Sequence, residues 1–189
     1  MPQKTYLIAD LHFGHESIIK YENRPFRDVS HMDETIIRNW NQTVSKTDLV
    51  IVAGDVSFYD KDKTAAIVRR LQGRKILVRG NHDARSSAWW VEAGFAEVSS
   101  NPIIINDWFV VSHEPPHYTN EAMPYFFIYG HVHSSEMYRT ITRQTACVSA
   151  ERWDFTPVLL ETIVNLAKEE AAAFSPNDPT LRHAKWKEA

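Results

Sequence analysis

The sequence predicts an α/β protein with buried strands, on three observations. Five short apolar runs, at residues 5–9, 49–53, 75–78, 108–111 and 126–129, are rich in Ile, Val, Leu and Tyr and stop at Gly or a polar cluster, as buried strands do. Helical periodicity separates the runs of the first half, whereas the second half reads mostly as strands. Each run also ends on a side chain that metals bind, and in open sheets ligands collect beyond the carboxyl ends of the strands.

In chain order, run 5–9 enters Asp10-Leu11-His12. Ser30-x-x-Asp33 matches a capping box, and the helix it would open carries Ile36, Ile37, Trp40 and Val44 on one face. Run 49–53 leads to Gly54-Asp55, and a second helix is expected over about 61–71, stopping at Gly73. Run 75–78 leads to Gly80-Asn81-His82-Asp83, after which Ser86 or Ser87 caps a short helix through Trp89-Trp90 that ends at Gly94. Residues 103–105 and 108–111 flank Asn106-Asp107, a hairpin turn, and the second of them leads to Ser112-His113. Run 126–129 leads to Gly130-His131-Val132-His133, and a further strand is expected over 144–148. Thr156-Pro157 fits an N-cap and first helical position for an apolar helix reaching about residue 173. The reading is one domain over 1–174, followed by a polar tail at 175–189, either loose or packed on a partner.

Composition bounds the function. With 43% hydrophobic and 24% charged residues among 189, the chain has the balance of an ordinary globular protein large enough to bury a core. Its net charge of −3 gives no field for capturing a long nucleic acid, although a bound metal pair would reverse the local field and admit a phosphate. The single cysteine, Cys147, excludes an internal disulfide and a cysteine-based zinc site. Only four residues precede the first strand, and no stretch is apolar for long enough to span a membrane. The expected location is the cytoplasm. The oligomeric state is left open, with the last helix and tail as a candidate contact.

Imidazole nitrogen and carboxylate oxygen together suit divalent Mn, Fe, Co, Ni or Zn. Asp10-x-His12 and His131-x-His133 each place two such groups at alternate positions, which share a side in extended backbone. Asp55 has two oxygens and can bridge two cations; a pair ~3.5–4 Å apart can clamp a phosphoryl group and generate hydroxide at neutral pH. Glycines 54, 80 and 130 precede metal-type residues and permit tight turns and close backbone approach.

The ordered set D-x-H, G-D, G-N-H-D, a later H and G-H-x-H, over residues 10–133, resembles the calcineurin-like metallophosphoesterase superfamily. The resemblance implies a four-layer α/β/β/α sandwich of two mixed sheets flanked by helices. It implies that Asp10, His12, Asp55 and His133 hold one metal and that Asp55, Asn81, His113 and His131 hold the other, with Mn the first candidate. His82 would stand beside the leaving oxygen as general acid or electrostatic stabiliser, with Asp83 holding its orientation. A metal-bridging hydroxide would then attack phosphorus in line, in a phosphomonoester or phosphodiester. Two departures are visible: Ser112 stands where many members have Gly before the lone histidine, and Val56-Ser57-Phe58-Tyr59-Asp60 supplies no obvious outer polar residue after G-D.

Beyond that set, His15 is a candidate substrate contact or partner of His12. Arg24 is a candidate phosphate fork, because a guanidinium binds phosphate bidentately. His117 and Tyr118, after the stiff Pro115-Pro116, are candidate cleft residues, whereas Arg152 and Trp153 read as packing. One of the adjacent pair Trp89-Trp90 should face outward and mark a contact surface. The expected partner is a small phosphate ester. The competing classes are a nuclease on short nucleic acid, disfavoured by the charge, and a non-catalytic scaffold for protein partners, disfavoured by the complete ligand set.

Overall fold

The computed structural model describes residues 2–117, 119 and 123–174; the polar tail and Tyr118 lie outside them. The apolar runs form two mixed sheets. The first has the order β4-β3-β2-β1-β9, with β1 (Thr5–Ile8), β2 (Leu49–Val52), β3 (Arg74–Val78) and β4 (Glu97–Ser99) parallel, and β9 (Val158–Leu159) antiparallel at its edge. The second has the order β5-β6-β7-β8, in which β6 (Phe109–Val111), β7 (Phe126–Tyr129) and β8 (Thr145–Cys147) are parallel and β5 (Ile103–Ile105) is antiparallel to β6.

Strand side chains alternate between faces, so β1, β2 and β3 each serve two cores. Tyr6, Ile8, Val50, Val52 and Leu77 pack against α2 (Val29–Thr43), α3 (Lys61–Arg70) and α4 (Ser87–Ala93), where Ile36, Ile37, Trp40, Val68 and Trp90 meet them. Leu7, Ala9, Ile51, Ala53 and Val78 face the second sheet, meeting Phe109, Val111, Phe126, Ile128 and Ala146. Ile163, Ala167 and Ala171 of α5 (Leu160–Phe174) join this second core. Burying a large apolar side chain contributes roughly 1.5–3 kcal/mol, so the two layers fix the strand ends firmly.

The sheets are joined where β1 meets β8: Ala9 N donates to Val148 O at 2.9 Å and Ala150 N to Ala9 O at 3.0 Å. Gly130 N donates to His113 O at 2.9 Å, joining the ends of β7 and β6. The carboxyl ends of β1, β2, β3, β6 and β7, the five that carry the polar clusters, therefore reach one region, as expected.

The Asn106-Asp107 hairpin forms with both residues at positive φ, and Ser86 caps α4 by accepting from Trp89 N, with Gly94 at its end. The capping box at Ser30 does not form. The helix starts earlier, at Val29, because Asp28 accepts from His31 N at 2.7 Å, while Asp33 is buried and accepts from Gly14 N and Tyr59 OH. Thr156-Pro157 does not open a helix either: Val158 and Leu159 pair with Leu7 and Tyr6, and α5 starts only at Leu160. The short α1 (Glu16–Tyr21), β4, β9 and the 3-10 turn over Ala150–Trp153 went unforeseen.

Candidate metal centre

Asp10 and His12 follow β1, Asp55 follows β2, Asn81 and His82 follow β3, His113 follows β6, and His131 and His133 follow β7. Asp10, His12, Asp55 and His113 are buried. Two groups within these residues hold donor atoms all within 4.8 Å of one another: Asp10, His12 and His133, and Asp10, Asp55 and His113. Asn81 and His131 complete the second side, with His113 Nε2 2.8 Å and His131 Nδ1 3.1 Å from Asn81 Oδ1. All seven residues read as ligands from the sequence thus meet in one place.

The backbone that brings them there is not extended. Asp10, His12, Asp55, His131 and His133 all have φ between 46° and 71°, the left-handed region that costs a non-glycine residue energy. The alternate pairs therefore reach a common centre through tight turns, and the expected extended geometry is corrected. Gly54, at φ 90°, sits so close to the His113 ring and Gly80 Cα that no side chain fits there. A Cβ on Gly80 would strike the Asp55 carboxylate. Asp10 accepts from His131 N at 2.9 and 3.1 Å, which ties the first motif to the last.

The donor atoms fit cations. His113 Nδ1 lies 2.8 Å from Ala53 O, which can only accept, so in the neutral ring the proton is on Nδ1 and Nε2 carries a lone pair. That lone pair faces Asn81 Oδ1, acceptor against acceptor, and lies 3.2 Å from His131 Nδ1. His12 Nε2 is buried without a hydrogen-bond partner, 3.5 Å from Asp55 Oδ2. Converging lone pairs with a buried orphan are satisfied by a metal ion. Burial pushes the Asp10 carboxyl up to about 6 and, together with neighbouring His133 and Arg24, drives the His12 imidazole far below its ordinary range. Burial also lowers His131 and His15. Burial thus favours the neutral, ligating form at His12 and His131, whereas at His133 burial is outweighed by the carboxylates around it, the hydrogen bond to Glu151 first, which raise it.

His82 presents a half-exposed ring, with its backbone N–H on Asp55 Oδ1 at 3.0 Å and Nε2 4.0 Å from Asp55 Oδ2. Asp83 does not orient that ring. It is fully buried, and its carboxylate accepts from Asp55 N, Val56 N and Gly80 N at 2.8–3.0 Å, so it ties the loops after β2 and β3 together. His15 joins the cluster through Nδ1, 3.2 Å from His12 Nδ1, and stacks on Phe58. His117 is exposed on its loop, and no hydrogen bond or ring contact among the described residues ties it to the cluster.

Arg24 is the main correction. Its side chain is wholly buried: Nη2 donates to Asp10 O at 2.7 Å and Nη1 to Leu11 O at 3.1 Å, while Nε and Nη2 both donate to Glu151 Oε1. No part of the fork is left for a phosphate. Glu151, which the sequence did not single out, accepts in turn from His133 Nδ1 at 2.9 Å and so aims Nε2 of that ring away from itself. Burial opposes the Glu151 charge, but His133 and Arg24 hold its carboxyl below the ordinary range. Arg152 packs as expected, donating to the carbonyls of His133, Ser135 and Tyr138, and Trp153 Nε1 donates to Cys147 O.

Two mixed sheets thus deliver imidazole, carboxylate and amide oxygen to one point. The chain belongs to the calcineurin-like phosphoesterase family, whose model matches residues 4–182. It is 33% identical to the uncharacterized protein MJ1445 of Methanocaldococcus jannaschii, over 93% of this chain and 98% of that protein. The gene 66 protein of mycobacterium phage L5 is 35% identical over 82 residues, 42% of this chain and 39% of the phage protein. The crystal structure of a protein of unknown function from Aquifex aeolicus, AQ665, superposes with a TM-score of 0.67 at 26% identity, covering 87% of this chain and 100% of that one. Among the described residues no helix is long and apolar enough to cross a membrane.

Proposed function

We propose that the protein is a binuclear metal-dependent phosphoesterase acting on a small phosphodiester or phosphomonoester. The carrying observation is that His113 Nε2 meets Asn81 Oδ1, acceptor against acceptor, on one side of Asp55, while His12 Nε2 is buried without a partner on the other. Asp10, His12, Asp55 and His133 would hold one divalent cation, and Asp55, Asn81, His113 and His131 the other. Bound there, two cations supply charge for the phosphoryl oxygens and activate water at neutral pH.

The protein's own groups do the rest. His82, half exposed and anchored through its backbone on Asp55, is the proton source for the departing oxygen. Asp83 keeps the loops carrying Asp55 and Asn81 in register, and Glu151 fixes the His133 tautomer. Mn²⁺ is the first choice for reconstitution, and Fe, Zn, Co and Ni suit the same donors.

The test is hydrolysis of an aryl phosphodiester beside its monoester by metal-stripped protein reloaded with Mn²⁺. Turnover that requires the metal is expected, and the ratio of the two esters assigns the substrate class. No turnover of either ester by protein carrying two metals would remove the hydrolase reading and favour a scaffold.

A further inference from the structure

His82 also forms a wall of a cavity of about 270 Å³, whose other walls include Phe58, Tyr59, Arg85, Trp89 and Trp90. Two of these aromatics are held rigidly. Trp90 is 1% exposed in the helix-side core, and Tyr59 donates its hydroxyl to Asp33 at 2.9 Å under the ammonium of Lys63. The other two are partly open to solvent and rest on fixed neighbours. Trp89 packs edge-on to Trp90 at 4.6 Å, and Phe58 stacks on His15 at 4.0 Å with 43% of its surface exposed. The Phe58 ring lies 5.2 Å from that of His82, so the open aromatic surface begins beside the proposed proton donor.

The exposed guanidinium of Arg85 adds a cation to this lining, and cations as well as ring faces attract π-systems. The volume lies just under the roughly 300–1,000 Å³ of cavities that take drug-sized molecules, enough for one ring system and too little for an extended chain.

Resting on the phosphoesterase reading, we propose that this cavity is the leaving-group subsite and takes a planar aromatic ring carried by the departing alcohol, an aryl group or a nucleobase. The water oxygen bonds to phosphorus and releases a proton to solvent, and the bond from phosphorus to the leaving oxygen breaks with its electron pair going to that oxygen. The His82 proton completes the alcohol and is replaced from solvent. The ring meanwhile lies against Phe58 and Trp89.

Binding is tested apart from turnover. Benzylphosphonate and cyclohexylmethylphosphonate, alike in size and charge, are titrated calorimetrically into the Mn²⁺-loaded protein and into Trp89→Ala and Phe58→Leu. The aromatic ligand should bind about tenfold tighter or more, and the ratio should fall toward one in both variants. Equal binding in the parent protein, or a preference that survives both substitutions, overturns the proposal. The methyl ester of thymidine 5′-phosphate then identifies the source of the ring. Release of thymidine supports a nucleobase in the subsite, whereas release of methanol overturns that choice and leaves the aryl group. Ring-selective binding with no turnover of any ester would instead sink the hydrolase reading while supporting the ring site.

Discussion

Arg24 and Glu151, 127 residues apart in the chain, form a buried ion pair at 2.6 Å that reaches both ends of the candidate centre. From the arginine, hydrogen bonds run to the backbone of Asp10 and Leu11; from the glutamate, one runs to His133. The pair thus positions the first and last motifs against each other. Glu151→Gln should lower divalent-metal affinity about 10–100-fold with the fold retained, as loss of a carboxylate behind a ligating histidine does. Competition with a fluorescent chelator measures this, and unchanged affinity would reduce the pair to a structural tie. Arg24→Leu leaves the Glu151 charge buried and should cost about 3–5 kcal/mol in urea unfolding.

Asp55 lies between the two halves of the cluster, with Oδ2 3.5 Å from both His12 Nε2 and His113 Nε2. Asp55→Ala should lose metal and activity together, read as metal content by mass spectrometry beside turnover. Both metals retained in that variant would overturn the ligand assignment.

His82 stands outside the ligand set, so His82→Ala should keep its metal content while its rate falls roughly 10²–10⁴-fold, the usual size of acid–base assistance. A rate within a few-fold of the parent would take this ring out of the chemistry.

Acid stability should report on Asp48. It accepts from Lys4 N at 3.1 Å, from Ser45 N at 2.9 Å and from Ser45 Oγ at 2.7 Å, and these bonds, the Ser45 hydroxyl first, hold its carboxyl below the ordinary range. A carboxyl depressed on folding adds stability that is complete above its unfolded pKa of ~3.9 and is lost as pH falls through the folded value. Asp48→Asn should therefore unfold about 1–2 kcal/mol more easily at pH 7, the scale of lost charge-assisted bonds, with the gap closing in acid. Urea midpoints at pH 7 and pH 3 decide it; a gap that stays constant would assign the loss to shape.

The ligand set was legible because its chemistry admits few residue types and each sits where a buried strand stops. Glu151 was not legible, since one glutamate after a strand looks like any solvated surface residue until the fold places His133 beside it. Arg24 has the chemistry the sequence suggests, a forked donor seeking an anion, but its anion, Glu151, lies inside the protein. Thr156-Pro157 misled because local helix-start preference yielded to pairing of Val158 and Leu159 with the edge of β1. Phe58 offered no signal at all: its meaning comes from the His15 and His82 rings beside it.

The left-handed backbone at Asp10, His12, Asp55, His131 and His133 sets folding against function at these five positions. Glycine accepts that conformation freely, so at His131, whose side chain is exposed, replacement by glycine would relieve strain and stabilise the metal-free fold. At Asp10 and Asp55 the lost bonds to His131 N and His82 N oppose the gain. A screen for thermal stability alone would thus reward erosion of the centre, and only selection in the presence of the cations would preserve it.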